Sequence, residues 1–217
     1  AVVVFFWKDL VNIVIDFVKG IIERKPFATD GSRMGWLIIL ASIPGGLAGI
    51  TVKPLVEAAF KNPRAVAILL LVTAALMLAA ERAGRKERGF TTIAWLDALL
   101  IGLGQALAIF PGISRSGATI SIGLFRGLKR ADAAKFSFLM SIPIMLAAGL
   151  YSALDLRDVS NLTSFLPAIL SGTLAAAIVG YLSIKWLLSF LNKHPLSVFS
   201  IYCAILGAFV LIVSFIQ

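Results

Sequence analysis

The stretch Phe110-Pro111-Gly112-Ile113-Ser114-Arg115-Ser116-Gly117-Ala118-Thr119 decides the fold, because it places an arginine between two apolar runs, residues 98–113 and 118–125. An ionisable side chain at membrane depth costs several kcal/mol, so it normally faces a cavity or a partner and marks a functional site. The two serines, the threonine and the two glycines around Arg115 are small, and three of them carry hydroxyl groups. The stretch therefore predicts a polar pocket inside a membrane.

The composition excludes a soluble domain. Of the 217 residues, 59% are hydrophobic and 14% are charged, and the mean hydropathy is +0.97. Long unbroken apolar runs favour helices over a closed barrel, so we expect an all-α integral membrane protein. The net charge of +9 is explained by basic residues that flank membrane spans. We therefore expect membrane lipids as partners and no nucleic acid.

The pocket has the residues that bind phosphate. Pro111-Gly112 interrupts an arriving helix, and Ser114 can cap a new helix that begins at Arg115 or Ser116. The N–H groups at a helix N-terminus attract an oxyanion, and a guanidinium matches two phosphate oxygens at once. Ser116 and Thr119 lie about one turn apart. The alternative is a Gly/Pro kink with Arg115 paired to a carbonyl or extended to the interface.

Apolar runs predict a polytopic helical bundle. Spans are expected at residues 34–52, 65–80, 136–154, 162–184 and 196–216. Pro44 should bend or break the first of them, and residues 53–64 are expected to form a loop. Residues 8–33 have the spacing of an amphipathic helix, which lies either on the membrane surface or against the protein.

Residues 98–125 predict a re-entrant hairpin, because the arms 98–110 and 118–125 are too short to cross a bilayer. With such a hairpin, the segments on one side hold five, four, four and two Lys/Arg residues, and the other loops hold three and one. The basic side is then the inside. The C-terminus is expected outside.

Groups for acid/base or metal chemistry are scarce in the sequence. Asp97 is the only acidic residue near the pocket stretch, and His194 precedes a proline in what we interpret as a turn. Gln105 can either donate a hydrogen bond into the pocket or join two helices. Cys203, the single cysteine, is interpreted as a small core residue.

The residues 111–119, Pro-Gly-Ile-Ser-Arg-Ser-Gly-Ala-Thr, resemble the second signature of the undecaprenyl-diphosphate phosphatase family, also called the bacitracin-resistance protein family. The resemblance continues through residues 102–107 and 133–143. It implies an enzyme that removes the terminal phosphate of undecaprenyl diphosphate and recycles the lipid carrier for peptidoglycan. It also implies a divalent metal (Mg or Ca) and a bacterial plasma membrane location.

The resemblance assigns site residues by position. Ser114, Arg115 and Thr119 are expected to be catalytic. The expected substrate-binding residues are Gly112, Ser116, Gly117 and Gln105. The family's fold pairs two re-entrant hairpins in an inverted repeat. Residues 1–217 are thus expected to form a single transmembrane domain with half of that repeat.

The family's first signature contains two glutamates a turn apart and a Ser-Ser-x-Gly-His run, and it is expected before Ala1. We therefore expect a natural protein that is longer at its N-terminus and carries the metal ligands there. The competing hypothesis is a transporter or flippase for a phosphorylated polyprenyl lipid, because re-entrant half-helices also bind anionic substrates in transporters. A non-catalytic assembly partner is a weaker third hypothesis. A homodimer is left open.

Overall fold

A computed structural model describes residues 1–155 and 162–216 of the chain, and side chains outside 153–165. The regular elements of the described backbone are α-helices and one 3-10 turn at Phe90–Thr92, with one isolated bridge between Arg88 and Leu128 and no strand. In chain order the helices are α1 (Val2–Phe5), α2 (Trp7–Ile22), α3 (Asp30–Thr51), α4 (Lys53–Phe60), α5 (Pro63–Ala83), α6 (Trp95–Leu107), α7 (Arg115–Phe125), α8 (Arg130–Asp155), α9 (Leu162–Lys193) and α10 (Ser197–Ile216).

Five of these helices, α3, α5, α8, α9 and α10, are long and apolar enough to cross a membrane. Large apolar side chains cover their outer faces, among them Ile50 at 82% exposure and Leu150 at 71%. Such faces are stable only against lipid or another apolar surface. The structure thus confirms the expected all-α, multi-pass membrane class.

Two local predictions concern prolines. Of the bend or break predicted at Pro44, the break does not occur, because α3 continues through Pro44 to Thr51. The prediction of a loop after α3 was wrong. Residues 53–64 are not a loop, because Lys53–Phe60 forms α4. Pro54 lies in the first turn of α4, where its missing N–H would have had no partner anyway.

The amphipathic segment forms α2 and packs antiparallel on α3. Phe17 lies against Gly35, and Gly20 lies against Ser32. The other face of α2 exposes Val14 and Val18. The helix therefore packs on the protein, and contact of its exposed face with the membrane surface stays a prediction.

Helices α6 and α7 form an antiparallel hairpin at the centre of the bundle. Gly104 lies against Ile122, and Asp97 pairs with Arg126 at the open end. The two helices have 13 and 11 residues, or roughly 20 and 16 Å at 1.5 Å per residue. Neither length reaches the roughly 30 Å of a hydrocarbon core. Helices α3, α5 and α8 surround the hairpin.

The five ion pairs in the described part of the chain lie towards the end of the bundle where the hairpin opens, which we call the basic end. Arg33 donates to the carbonyl of Ile93, Arg88 and Arg126 pair with Asp97, and Arg130 pairs with Glu81. These segments were predicted to share one side of the membrane, and the structure brings them together. Most of the predicted loop 155–161 falls outside the described residues.

Candidate functional site

The break between α6 and α7 is fixed to α5 by one threonine. Thr73 Oγ1 donates to the carbonyl of Gly112 at 3.2 Å and accepts from the N–H of Ser114 at 3.3 Å. Gly112 has φ +96°, and a Cβ there would collide with the carbonyl of Val66. Only glycine adopts this conformation without strain and allows the close approach.

Helix α7 begins where the sequence predicted. Ser114 is its N-cap, and the Ser114 Oγ accepts from the N–H of Gly117 at 3.1 Å. The carbonyl of Ser114 accepts from Ala118 at 2.8 Å. The N–H groups of Arg115 and Ser116 bond to none of the residues that the structure describes. Two donors at the positive end of α7 are therefore available to an anion.

Arg115 points into a cavity of about 470 Å³. The cavity is lined by Val2, Ala108, Ile113, Arg115, Ser116, Ser137, Phe138, Ser141 and Met145. None of the five ion pairs in the described part of the chain includes Arg115. The hairpin geometry places this guanidinium roughly 16 Å from the basic end, at 1.5 Å per residue of α7. The guanidinium of Arg115, which is exposed, thus faces this cavity without an ion-pair partner among the described residues.

Thr119 does not line this cavity. Its side chain is fully buried, its hydroxyl donates to the carbonyl of Arg115 at 2.8 Å, and it lies 2.6 Å from the Ser137 Oγ. Ser137 does line the cavity. Thr119 is therefore one hydrogen bond away from the cavity and supports Ser137 and the first turn of α7.

The family model of the bacitracin resistance protein BacA matches residues 1–209 of this 217-residue chain. The chain belongs to the BacA family. Undecaprenyl-diphosphatase from Methanosphaera stadtmanae is 39% identical and aligns with 99% of this chain and 80% of its own length. Undecaprenyl-diphosphatase 1 from Corynebacterium jeikeium is 42% identical, with 97% and 75% covered. Undecaprenyl-diphosphatase from Corynebacterium glutamicum (strain ATCC 13032) is 43% identical, with 93% and 69% covered.

Five of the seven predicted site residues of this BacA-family chain lie together, and Thr119 and Gln105 are the other two. Gly112, Ser114, Arg115, Ser116 and Gly117 lie together at the start of α7, and Gly117 packs against the sulfur of Met77.

Gln105 lies apart from that group. It is buried beside Gly45 of α3 and lines neither of the two cavities described for this chain. Both its amide atoms are without a hydrogen-bond partner among the described residues. The structure therefore shows neither the donor into the pocket nor the interhelical hydrogen bond, and a substrate-binding role for Gln105 stays a prediction.

The acidic side chains of this BacA-family chain are held at the basic end. Asp97 accepts from Arg88 and Arg126, each at 2.6 Å, and from the N–H of Ala94 at 2.9 Å. Burial alone would raise the pKa of Asp97, but the hydrogen bonds from Arg88, Ala94 and Arg126 outweigh it and hold the pKa below the ordinary 3.8. Glu81 forms ion pairs with Arg130 and Lys86. Neither carboxylate lines the cavity.

A divalent metal finds no matching ligands here. Among residues 1–155 and 162–216, no three His, Cys, Asp or Glu side chains cluster as a metal site. The polar lining of the cavity is Arg115 and three serines, and hydroxyls beside a guanidinium do not form the carboxylate-rich set that Mg²⁺ or Ca²⁺ prefers. His194 stacks on Phe190 with ring centroids 4.5 Å apart, as expected of a turn residue.

The sequence analysis missed Thr73 and Ser137. Both are hydroxyls inside apolar helices, and their partners are 39 and 18 residues distant in the chain. The one available signal was a lone hydroxyl on the buried face of a span, which commonly hydrogen-bonds to another helix. Ser141 donates to the carbonyl of Phe138 and also lines the cavity.

Proposed function

We propose that this chain is a membrane phosphatase that hydrolyses undecaprenyl diphosphate to undecaprenyl monophosphate and phosphate. Water supplies an oxygen to the terminal phosphorus, and the bond from that phosphorus to the bridging oxygen breaks. The proposal rests on membership of the BacA family and on relatives named undecaprenyl-diphosphatase. This chain aligns with most of the length of those relatives. This activity recycles a lipid carrier for peptidoglycan synthesis and gives resistance to bacitracin.

Within the structure, the observation that carries the proposal is the position of Arg115. Its guanidinium faces a cavity of about 470 Å³ without a carboxylate partner among the described residues. A cation kept in that state inside a membrane is explained by an anionic ligand. A diphosphate has the charge, and its paired oxygens match the planar fork of the guanidinium.

Three kinds of donor converge at the start of α7. Arg115 supplies charge, the N–H groups of Arg115 and Ser116 supply the positive end of a helix, and Ser116 supplies a hydroxyl. Phosphoryl transfer depends mainly on positioning and on stabilising the charge that develops on the phosphoryl oxygens. Donors fixed in advance in a low-dielectric site do this without reorganising during the reaction. Ser114 holds the helix end in place as its cap.

The divalent metal that the resemblance implies has no ligand set at this cavity within the described chain. We therefore derive no step through it. The roles assigned to Arg115, Ser114 and Ser116 concern binding and orientation of the diphosphate only. Thr119 is proposed to act as a positioning residue through Ser137, since it lies behind the cavity wall.

Phosphate release from farnesyl diphosphate tests the proposal. Purified wild-type protein in detergent or nanodiscs should release phosphate, and Arg115→Ala should lower kcat/KM by about 10²- to 10³-fold, the usual cost of removing a charge-stabilising donor. Arg85→Ala is the matched control, because Arg85 is exposed on the basic end and away from the cavity. Release at the wild-type rate in Arg115→Ala would overturn the role given to Arg115, and wild-type protein that releases no phosphate would overturn the phosphatase proposal.

The transporter hypothesis is not favoured, because the relatives that cover this chain are named as diphosphatases. The same preparations separate the two functions. Wild-type protein in vesicles that flips a fluorescent polyprenyl diphosphate and releases no phosphate would contradict the phosphatase proposal.

Location and assembly remain proposals. We propose the bacterial plasma membrane, with the basic end inside and the C-terminus outside, because Lys and Arg concentrate in inside loops. A homodimer stays a prediction, and its test is the mass of the purified protein in detergent.

A further inference from the structure

A second cavity of about 160 Å³ lies on the other side of the first turn of α7. Its polar edge consists of Ser114, Ser116 and Gly117. Its remaining wall is largely apolar and comes from α5, α7, α9 and α10, with Ile120, Leu187, Phe199 and Cys203 among its residues. Ser116 lines both this cavity and the Arg115 cavity. The two cavities therefore meet at the residue that borders the proposed diphosphate site.

The second cavity is next to the lipid-facing surface of α9 and α10. Tyr202, one of its lining residues, is 64% exposed. Near their connecting turn, α9 and α10 meet through Trp186 and Phe190 against Phe199. Large side chains rather than close backbone packing thus separate the two helices there. A chain lying in the cavity can reach the bilayer beside Tyr202, the exposed residue of its wall.

We infer that the second cavity binds the isoprene unit next to the diphosphate of the prenyl substrate. The inference rests on the proposed function, because it assumes a diphosphate beside Arg115. A prenyl diphosphate joins a charged head to an apolar chain covalently, so an apolar cavity that shares Ser116 with the head site is where the chain begins.

The size of the cavity limits what it holds. At about 160 Å³, against about 470 Å³ for the Arg115 cavity, it is the smaller of the two and takes only the beginning of a prenyl chain. The rest of the substrate chain then lies in lipid along α9 and α10. The enzyme therefore selects for a prenyl group at the first unit and is tolerant of chain length beyond it.

Cys203 provides a direct probe, because it is the only cysteine in the sequence and lines this cavity. A non-hydrolysable farnesyl methylenediphosphonate should slow the reaction of Cys203 with methyl methanethiosulfonate at least tenfold, as followed by mass spectrometry of the Cys203 peptide. Methylenediphosphonate without the farnesyl chain should leave the rate unchanged. Equal rates with and without the farnesyl compound would overturn the inference, as would equal protection by the head group alone.

A second test compares the kinetics of the wild type with those of a variant in which the volume of the second cavity is reduced. Cys203→Phe fills the cavity and should raise KM for farnesyl diphosphate about tenfold, while the inhibition constant of methylenediphosphonate stays unchanged. Ile205→Phe is the matched control, because Ile205 is exposed on the outer face of α10, and it should behave as wild type. An unchanged KM in Cys203→Phe would contradict the inference. Wild-type protein that releases no phosphate would instead contradict the proposed function, and the protection experiment would still report on the cavity.

Discussion

A single hydroxyl, that of Thr73, holds the backbone on which the site is built. It donates to Gly112 and accepts from Ser114, so it bonds the residues on both sides of Ile113 to α5. The side chain is 1% exposed, and water cannot replace it. The direction of Arg115 therefore depends on a residue in another helix, 42 positions earlier in the chain.

Replacement of Thr73 should separate positioning from folding. Thr73→Val leaves a buried carbonyl and N–H without their partner, which costs about 1–3 kcal/mol of stability. We expect kcat, measured per folded molecule, to fall about tenfold because the loop loses its anchor. Thr73→Ser keeps the hydroxyl and should retain most of the activity. A normal kcat in folded Thr73→Val protein would show that the residue only stabilises the fold.

At this scale the sequence predicted what local chemistry determines. Ser114 as an N-cap and Arg115 facing a cavity follow from neighbouring residues, and the structure confirms both. Thr73 and Ser137 could not be predicted, because their partners are distant in sequence. The burial of Thr119 behind Ser137 also depends on how α7 packs on α8.

At the scale of elements, the hairpin α6–α7 is closed at its base by one carboxylate. Asp97 of α6 accepts from Arg126 beyond α7 and from Arg88 of the preceding loop. The backbone adds to this closure, since Arg88 donates to Gly127 at 2.9 Å and Lys129 donates to Arg88 at 2.9 Å. These contacts set the angle at which the hairpin enters the bundle.

The free energy of unfolding should decrease at low pH because of the ion pairs at the base of the hairpin. The pKa of Asp97 is lowered in the folded state from 3.8, so its contribution is fully present above that pH and is lost as the pH falls through the lowered pKa. Asp97→Asn removes the charge and should cost about 2 kcal/mol at neutral pH.

Thermal unfolding in detergent between pH 2 and 6 measures this effect. As the pH falls below the ordinary pKa of aspartate, the Tm of the wild type should drop by more than the Tm of Asp97→Asn. Asp9→Asn is a matched control, because Asp9 bonds only Lys135 at the surface of α8. Identical acid profiles for wild type and Asp97→Asn would contradict the role given to Asp97.

The elements themselves were largely predictable, because apolar length determines a span. The helix α4 was missed because Pro54 was interpreted as the mark of a loop, although proline also occurs in the first turn of a helix. Helix α3 is continuous at Pro44, and the sequence alone did not separate a bend there from a break.

At the scale of the whole molecule, the ion pairs and the helix connections distinguish two ends of the bundle. Arg88, Arg126 and Arg130 all bind at the basic end, while the connection from α3 to α5 lies at the other. The re-entrant placement of residues 98–125 stays a prediction, and it is consistent with basic flanks that lie together at one end of the bundle.

Single cysteines test this orientation. In a Cys203→Ala background, Lys61→Cys should react with a membrane-impermeant maleimide in intact cells, because Lys61 is exposed at the end opposite the basic end. Arg85→Cys should react only after the cells are permeabilised. The reverse pattern would contradict the proposed topology.

The central claim is that Arg115 binds the diphosphate. The most direct measurement is the Kd of non-hydrolysable farnesyl methylenediphosphonate for wild-type protein and Arg115→Ala in nanodiscs, with Arg85→Ala as the control. Loss of a bidentate charged contact should weaken binding at least tenfold, since such a hydrogen bond contributes about 1.5–3 kcal/mol. A Kd for Arg115→Ala equal to that of the wild type would contradict the account.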